Sequence, residues 1–290
     1  MTPAEGKPTF AFQGAPGAFS HSAGQMFAKT LGSPGEPGFV PCQTFEEIFQ
    51  TVTAGGCEYG VVPLENSSIG SITANYDLLW RCDVEIVGEV SMPVHHQLIG
   101  LAGADPAALK EIYSHPAALD QCRKLFAGLS GVRPVAYFDT SGAARFVKET
   151  GDPSLAAIAG EAAADEHGLV VLRTNVEDYP DNSTRFGIVT RRCGDLHNPR
   201  EFPEPPYKIS CAIQLPHKPG SLARVLDKLA EQEVNLTKIE SRPIPEAAWH
   251  YRFFIDIQLD GQTQDAFAVA ALKSSCESCK LLGRYRPWGQ

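Results

Sequence analysis

The chain has 290 residues, enough for about two domains, with 43% apolar residues and a formal net charge of -9. That acidity argues against nucleic-acid binding, which needs clustered Lys and Arg to neutralise phosphate. No apolar run approaches a membrane span, and Met1 to Pro8 lacks the apolar core of a signal peptide, so a cytoplasmic protein is expected.

Residues 9–13 are a short apolar run stopped by Gly14, the pattern of a buried strand. Residues 20–31 read as a helix closed by Gly32 and Pro34. Phe39-Val40 suggests a second strand. Thr44 with Glu47 three residues later marks a helix start, and Phe45, Ile48, Phe49 and Val52 give that helix one apolar face. Residues 59–64 read as a third strand. Strands alternating with helices predict βαβ units and a largely parallel sheet. The rhythm restarts with strands at 84–89 and 95–101 and a strand end at 112–113. A helix opened by His115-Pro116 runs to 126, followed by a strand at 135–137 and a helix at 141–148. A strand at 156–159 leads into a helix at 161–167, and strands at 170–172 and 186–189 close the set. Two such α/β groups predict two lobes with a cleft between them.

Residues 194–206 contain Pro199, Pro203, Pro205 and Pro206 and read as a semi-rigid linker. Beyond it, Ile209, Cys211, Ile213 and Leu215 alternate with period two, and Leu222, Val225, Leu226 and Leu229 follow helical spacing. Strands at 234–239, 249–259 and 280–285 and a helix at 264–273 complete a βαββαβ, ferredoxin-like order. The eight cysteines lie mostly in apparent core segments and read as reduced thiols. Cys276 and Cys279 form one pair without a nearby His, which suits a structural role.

Four polar turns could carry chemistry. Gly14 to His21, with Gly17 and Ser20, joins a strand to a helix N-terminus, where N–H groups can receive an anion; alone it reads first as a plain turn. Glu65-Asn66-Ser67-Ser68-Ile69-Gly70-Ser71 follows a strand, at the sheet edge where α/β ligands bind, and could instead cap the next helix. Ser114-His115-Pro116 and the turn at Asp139-Thr140-Ser141 read first as caps. His95 and His96 are adjacent on an expected strand and point apart, which argues against a shared metal. Asn182-Ser183-Thr184-Arg185-Phe186 runs from a polar turn into a strand; Thr184 offers a hydroxyl and Arg185 a bidentate carboxylate partner. There is no nucleophile elbow, HExxH or Cys/His cluster.

In this order the segments resemble the prephenate dehydratase family. The matches are Gln13-Gly14-x-x-Gly17-x-x-Ser20, Pro63-x-Glu65-Asn66-Ser67 with Gly70, His115-Pro116 with Gln121-Cys122, residues 140–144, and above all Asn182-x-Thr184-Arg185-Phe186. The tail is similar to an ACT domain, with Lys218-Pro219-Gly220-Ser221-Leu222 and Glu240-Ser241-Arg242-Pro243. It departs from the family in carrying Gly220-Ser221-Leu222 where Gly-Ala-Leu is common, and Asp139-Thr140-Ser141 where Ser-Thr-Ala is common.

The resemblance implies a two-lobed, periplasmic-binding-protein-like catalytic domain over 8–193 and a ferredoxin-like ACT domain over 207–290. It implies cofactor-free and metal-free conversion of prephenate to phenylpyruvate in phenylalanine biosynthesis. Thr184, Arg185 and Phe186 are then the catalytic candidates, with Thr184 assisting the departing hydroxyl and Arg185 holding a carboxylate. Gly14, Gly17, Ser20, Glu65, Asn66, Ser67, Gly70, Thr140 and Asn182 are expected to bind substrate. Gly220, Ser221, Leu222, Glu240, Ser241, Arg242 and Pro243 are expected to bind L-phenylalanine as a feedback effector, in a homodimer or homotetramer paired through ACT domains. No chorismate mutase segment precedes Thr9, so a monofunctional enzyme is expected. Arogenate dehydratase and a non-catalytic amino-acid-binding regulator are the alternatives.

Overall fold

β1 (Thr9–Gln13) is buried over Phe10, Ala11 and Phe12 because a parallel strand flanks it on each side, β2 (Gly38–Cys42) and β3 (Tyr59–Asn66). The computed structural model describes residues 7–32, 35–192, 204–245 and 247–288, so most of the expected linker lies outside the described residues. α1 (Phe19–Thr30) and α2 (Phe45–Thr53) make the crossovers. α2 starts as expected: Thr44 accepts from the Glu47 N–H at 3.2 Å, while the Glu47 carboxylate takes the Gln43 N–H at 2.6 Å. β4 (Gly70–Ser71) folds back on β3, and α3 (Thr73–Arg81) and β5 (Val84–Pro93) follow.

The chain then crosses to a second lobe built from β6 (Gln97–Gly100), β7 (Glu111–Ser114), α4 (Pro116–Asp120), α5 (Arg123–Ala127), β8 (Arg133–Ala136), α6 (Thr140–Thr150), β9 (Leu155–Ala159), α7 (Glu161–His167) and β10 (Val170–Arg173). It returns as β11 (Ser183–Arg191), inserted between β3 and β5. Both sheets are mixed rather than largely parallel. β1 pairs in parallel with β2 and β3, and β7 with β8 and β9; β11 runs against β3 and β5, and β6 against β9 and β10. The reason is geometric. β6 and β11 begin where the chain crosses between lobes, so they run opposite to strands that end there.

The remaining unit is β12 (Tyr207–Gln214), α8 (Ser221–Ala230), β13 (Asn235–Ile244), β14 (Ala247–Leu259), α9 (Gln262–Ser275) and β15 (Ser278–Tyr285), the expected βαββαβ order. Its strands are antiparallel in the order β13-β14-β12-β15. Period-two alternation gives this sheet two buried faces. Ile209, Cys211 and Ile213 pack with Val225 and Leu229 of α8 and Ala268 and Leu272 of α9. On the other face Ala212, Phe254 and Tyr285 pack with Tyr76, Leu79 and Ile86 of the first lobe. Burying a side chain such as Phe254 contributes about 1.5–3 kcal/mol. β15 meets β5 in parallel at Gly283 and Ile86, joining the two sheets. A Cβ at Gly283 would stand 2.1 Å from the Ile86 carbonyl oxygen, so only glycine allows the approach. Lys280 donates to the carbonyls of Leu79, Trp80 and Cys82 at 2.7–2.9 Å, closing the C-terminus of α3 from the neighbouring unit. No helix among the described residues is long and apolar enough to cross a membrane.

Candidate active site

A cavity of about 200 Å³ opens between the lobes. It lies at the carboxyl ends of β1, β3, β5 and β7, the usual position for a ligand in an α/β fold. Ala18, Phe19 and Ser20 bring the start of α1 to it, and α1 has no side-chain cap, so first-turn N–H groups are left for a ligand. Thr140 brings the start of α6, whose Gly142 N–H is taken by Asp139 at 2.7 Å. His115 brings the start of α4 and accepts from the Ala117 N–H through Nδ1. Among the described lining residues there is no Lys or Arg. An anion here would be held by helix N-termini and neutral donors.

The floor is a hydrogen-bonded polar cluster. Asn66 ends β3 and accepts at Oδ1 from the Ser68 and Ile69 N–H groups, at 2.9 and 3.2 Å. Its Nδ2 donates to Asn182 Oδ1 at 2.8 Å and to Thr184 Oγ1 at 2.9 Å. Register explains the meeting, because Asn66 and Thr184 are directly paired across β3 and β11. All three residues are buried. Thr184 thus receives a hydrogen bond on oxygen, and its own proton has no acceptor among the described residues. Gln121 joins from the C-cap of α4: its Oε1 accepts from Asn182 Nδ2 at 3.2 Å and lies 2.8 Å from His96 Nε2. Phe186 lies two residues beyond Thr184 on the same face and also lines the cavity, with Phe45, Ile69, Ile72 and Val94. His95 points away to Glu177, at 2.8 Å.

Alternation along β11 sends Arg185 to the opposite face. There Nε contacts Glu65 at 2.7 Å, Nη1 contacts Glu89 at 3.2 Å and Nη2 contacts Asp256 of β14 at 2.8 Å. Lys208 neutralises Glu89 at 2.8 Å, and Lys238 neutralises Glu65 at 2.6 Å. Burial would push the Arg185 guanidinium down, but the charges around it, led by Asp256, hold it above its ordinary value. Burial raises Glu65, and Arg185 with Lys238 outweighs this and holds it low. The expected carboxylate-holding role of Arg185 and the substrate-binding role of Glu65 do not fit this placement: both are spent between the first lobe and the ferredoxin-like unit.

The other expected residues divide. Ser20, Asn66, Thr140, Thr184 and Phe186 line the cavity, and Asn182 stands directly behind it. Gly14 instead lines a neighbouring cavity of about 400 Å³ with Arg145. Gly17, at φ +82°, lies against Ala163 of the second lobe, and its N–H donates to His21 Nδ1. Ser67 donates to the Asp181 carbonyl and accepts from the Ser183 N–H, tying the two turns. Gly70 lies in β4 and is exposed. Gly220, at φ +76°, precedes α8, and Arg224 reaches back to Ser221 Oγ at 3.0 Å and the Pro219 carbonyl at 3.1 Å. Leu222 packs on the α8 core. Glu240 accepts from Ser71 at 2.8 Å and Arg242 pairs with Asp77 at 2.8 Å, while Ser241 and Pro243 face outward, exposed. His96, Gln121 and Gln13 line the cavity without having been assigned to it. Gln13 and Gln121 stood inside motifs quoted above; His96 carried no signal beyond its residue type.

These features define a class first: a two-lobed α/β cleft protein carrying a ferredoxin-like unit. The family description of prephenate dehydratase matches residues 10–193, and that of the ACT domain matches residues 209–267. A prephenate dehydratase of Methanocaldococcus jannaschii is 35% identical, covering 84% of this chain and 86% of that one. An arogenate dehydratase/prephenate dehydratase of Arabidopsis thaliana is 35% identical over 97% of this chain and 72% of its own. The crystal structure of prephenate dehydratase in complex with L-Phe from Arthrobacter aurescens is 31% identical and superposes with a TM-score of 0.82, covering 96% of this chain and 90% of that one. The chain belongs to the prephenate dehydratase family and carries an ACT domain.

Proposed function

We propose that the chain is a lyase that converts prephenate to phenylpyruvate. The observation that carries this reading is the orientation of Thr184: Asn66 occupies its oxygen and leaves its proton to a cleft cavity with no Lys or Arg among its described lining residues. In the reaction the ring carboxylate leaves as carbon dioxide. Its bonding electrons enter the ring, which becomes aromatic as the C–O bond to the hydroxyl breaks. The departing hydroxide takes one proton and leaves as water; the proton comes ultimately from solvent. Thr184 contributes a preorganised hydrogen bond to that oxygen, since a threonine hydroxyl is too weak an acid to ionise. First-turn N–H groups of α1, with Ser20 and Thr140, hold the remaining carboxylate. The apolar wall of Phe45, Ile72, Val94 and Phe186 keeps water from the leaving carboxylate.

The ACT domain supports feedback inhibition by L-phenylalanine, received at the Gly220–Leu222 corner and residues 240–243 of a paired domain in a homodimer or homotetramer. A cytoplasmic location fits a biosynthetic enzyme of this kind. The test is phenylpyruvate production from prephenate, with and without phenylalanine. Thr184→Ala is expected to lower kcat by about 10²–10³-fold with folding intact; near-normal turnover would sink the assignment. The name of the plant relative also covers arogenate, so rates on both substrates, measured side by side, decide between them.

A further inference from the structure

The amides around the cavity form one directed chain of hydrogen bonds. Backbone N–H groups only donate, so Ser68 and Ile69 fix Oδ1 of Asn66 toward themselves. Asn66 Nδ2 must then donate to Asn182 Oδ1, and Asn182 Nδ2 to Gln121 Oε1. A Gln121 turned the other way would set two amide NH₂ groups against each other. Its Oε1 therefore faces His96 Nε2, and Nε2 must carry the ring proton. Nδ1 of His96 is left as a bare lone pair. It is buried and has no hydrogen-bond partner among the described residues. The ring is 2% exposed, lines the same cavity as Thr184 and is held edge-on against Phe19 at 5.7 Å. A buried acceptor without a donor is unfavourable, and such orphans in native structures call for an explanation.

We propose that His96 Nδ1 accepts the one hydroxyl proton that the substrate carries, so that Thr184 and His96 grip the leaving oxygen together, one donating to it and the other receiving from it. The inference rests on the dehydration reading above. The carboxylates and keto oxygen of prephenate carry no proton; its ring hydroxyl supplies its O–H donor. In the ground state the contact aims the C–O bond. As that bond breaks, the oxygen keeps its proton toward Nδ1 and gains its second from elsewhere, so His96 stays neutral and removes nothing from the leaving group. Burial, which lowers the His96 pKa, keeps the imidazole in this form.

Two variants separate binding from structure. His96→Gln keeps an amide in place of Nε2, able to bond Gln121, and has no acceptor at the Nδ1 position. His96→Asn has the reverse arrangement. Expected for His96→Gln are an unfolding midpoint near that of the wild type, a fall of roughly tenfold or more in kcat/KM, and unchanged affinity for a prephenate analogue lacking the ring hydroxyl. His96→Asn should retain more of kcat/KM. The proposal is overturned if His96→Gln turns over within threefold of the wild type, or if its affinity for the deoxy analogue falls as far as kcat/KM. A wild type inert on both prephenate and arogenate would sink the dehydratase reading itself, and this proposal with it.

Discussion

Replacing Arg185 by Met tests where its guanidinium belongs. The side chain is 10% exposed and meets carboxylates of Glu89 and Asp256 that are 4% and 5% exposed; Glu65, at 34%, is the wetter third partner. With Lys208 and Lys238 the cluster holds three cations and three carboxylates. Met preserves most of the volume and strands one buried negative charge. Removing one member of a buried pair costs about 3–5 kcal/mol. In a protein of this size that lowers Tm by roughly 10 °C, at about 2–4 °C per kcal/mol. Denaturant and thermal unfolding measure the loss, and steady-state kinetics below the transition measure KM. Because Arg185 faces away from the cavity, KM should move less than about threefold. Adding Asp256→Asn removes one stranded carboxylate and should recover part of the stability. Unchanged stability together with a tenfold or larger rise in KM would refute this reasoning and put the guanidinium on the substrate.

Three further outcomes are expected. Asn66→Asp turns a donor to Thr184 into an acceptor, so the Thr184 proton swings toward residue 66; kcat should fall by about 10²-fold or more, stability should fall too because the bond to Asn182 Oδ1 is lost, and wild-type turnover would contradict the polarity assigned to the cluster. Gly17→Ala sets a Cβ 2.8 Å from the Ala163 backbone across the lobes, so kcat/KM should drop while circular dichroism stays native; full activity would mean the lobes do not close on that contact. Acid should destabilise the protein. His96 is lowered by burial, against opposing effects of Gln121 and Glu177, so below about pH 6.5 the unfolded chain binds a proton that the folded state resists. Stability is then full above that pH and falls as pH drops toward the lower folded value. His21, His115 and His167 are also lowered by burial and share the effect, so unfolding midpoints of His96→Gln against pH should show a shallower, not absent, acid limb. An unchanged slope would count against a buried neutral imidazole.

Much of the cavity lining that forms the candidate site was legible because local rules suffice for it. Asn66 and Asn182 sit in turns beside strands, and period-two alternation puts Thr184 and Phe186 on one face. The same alternation puts Arg185 on the other, but nothing local says that a residue about seventy positions later in the chain, Asp256, covers that face. Strand direction was missed for a related reason: the crossing between lobes is tertiary. The helix expected over 116–126 breaks at Cys122, whose φ of -121° and ψ of 34° are not helical. There Asp178, from a distant segment, takes the Arg123 and Lys124 N–H groups and starts α5 afresh, which frees Gln121 to reach Asn182. His96 has no pattern at all; its neighbour His95 is the same residue type yet is half-exposed and turned to Glu177.

The charge cluster behind Thr184 also bears on how this protein could be taken apart. By sequence the catalytic and ACT regions look like interchangeable modules joined at a proline-rich seam. Cutting there would expose Glu89 without Lys208, Glu65 without Lys238 and Arg185 without Asp256, and would leave the end of α3 without Lys280. A transplanted regulatory domain would have to bring an acid and three lysines to matching positions before the graft could fold as one piece. A graft therefore needs a partner that already shares this electrostatic lock, and the lock sits on the same strand as Thr184, one residue away.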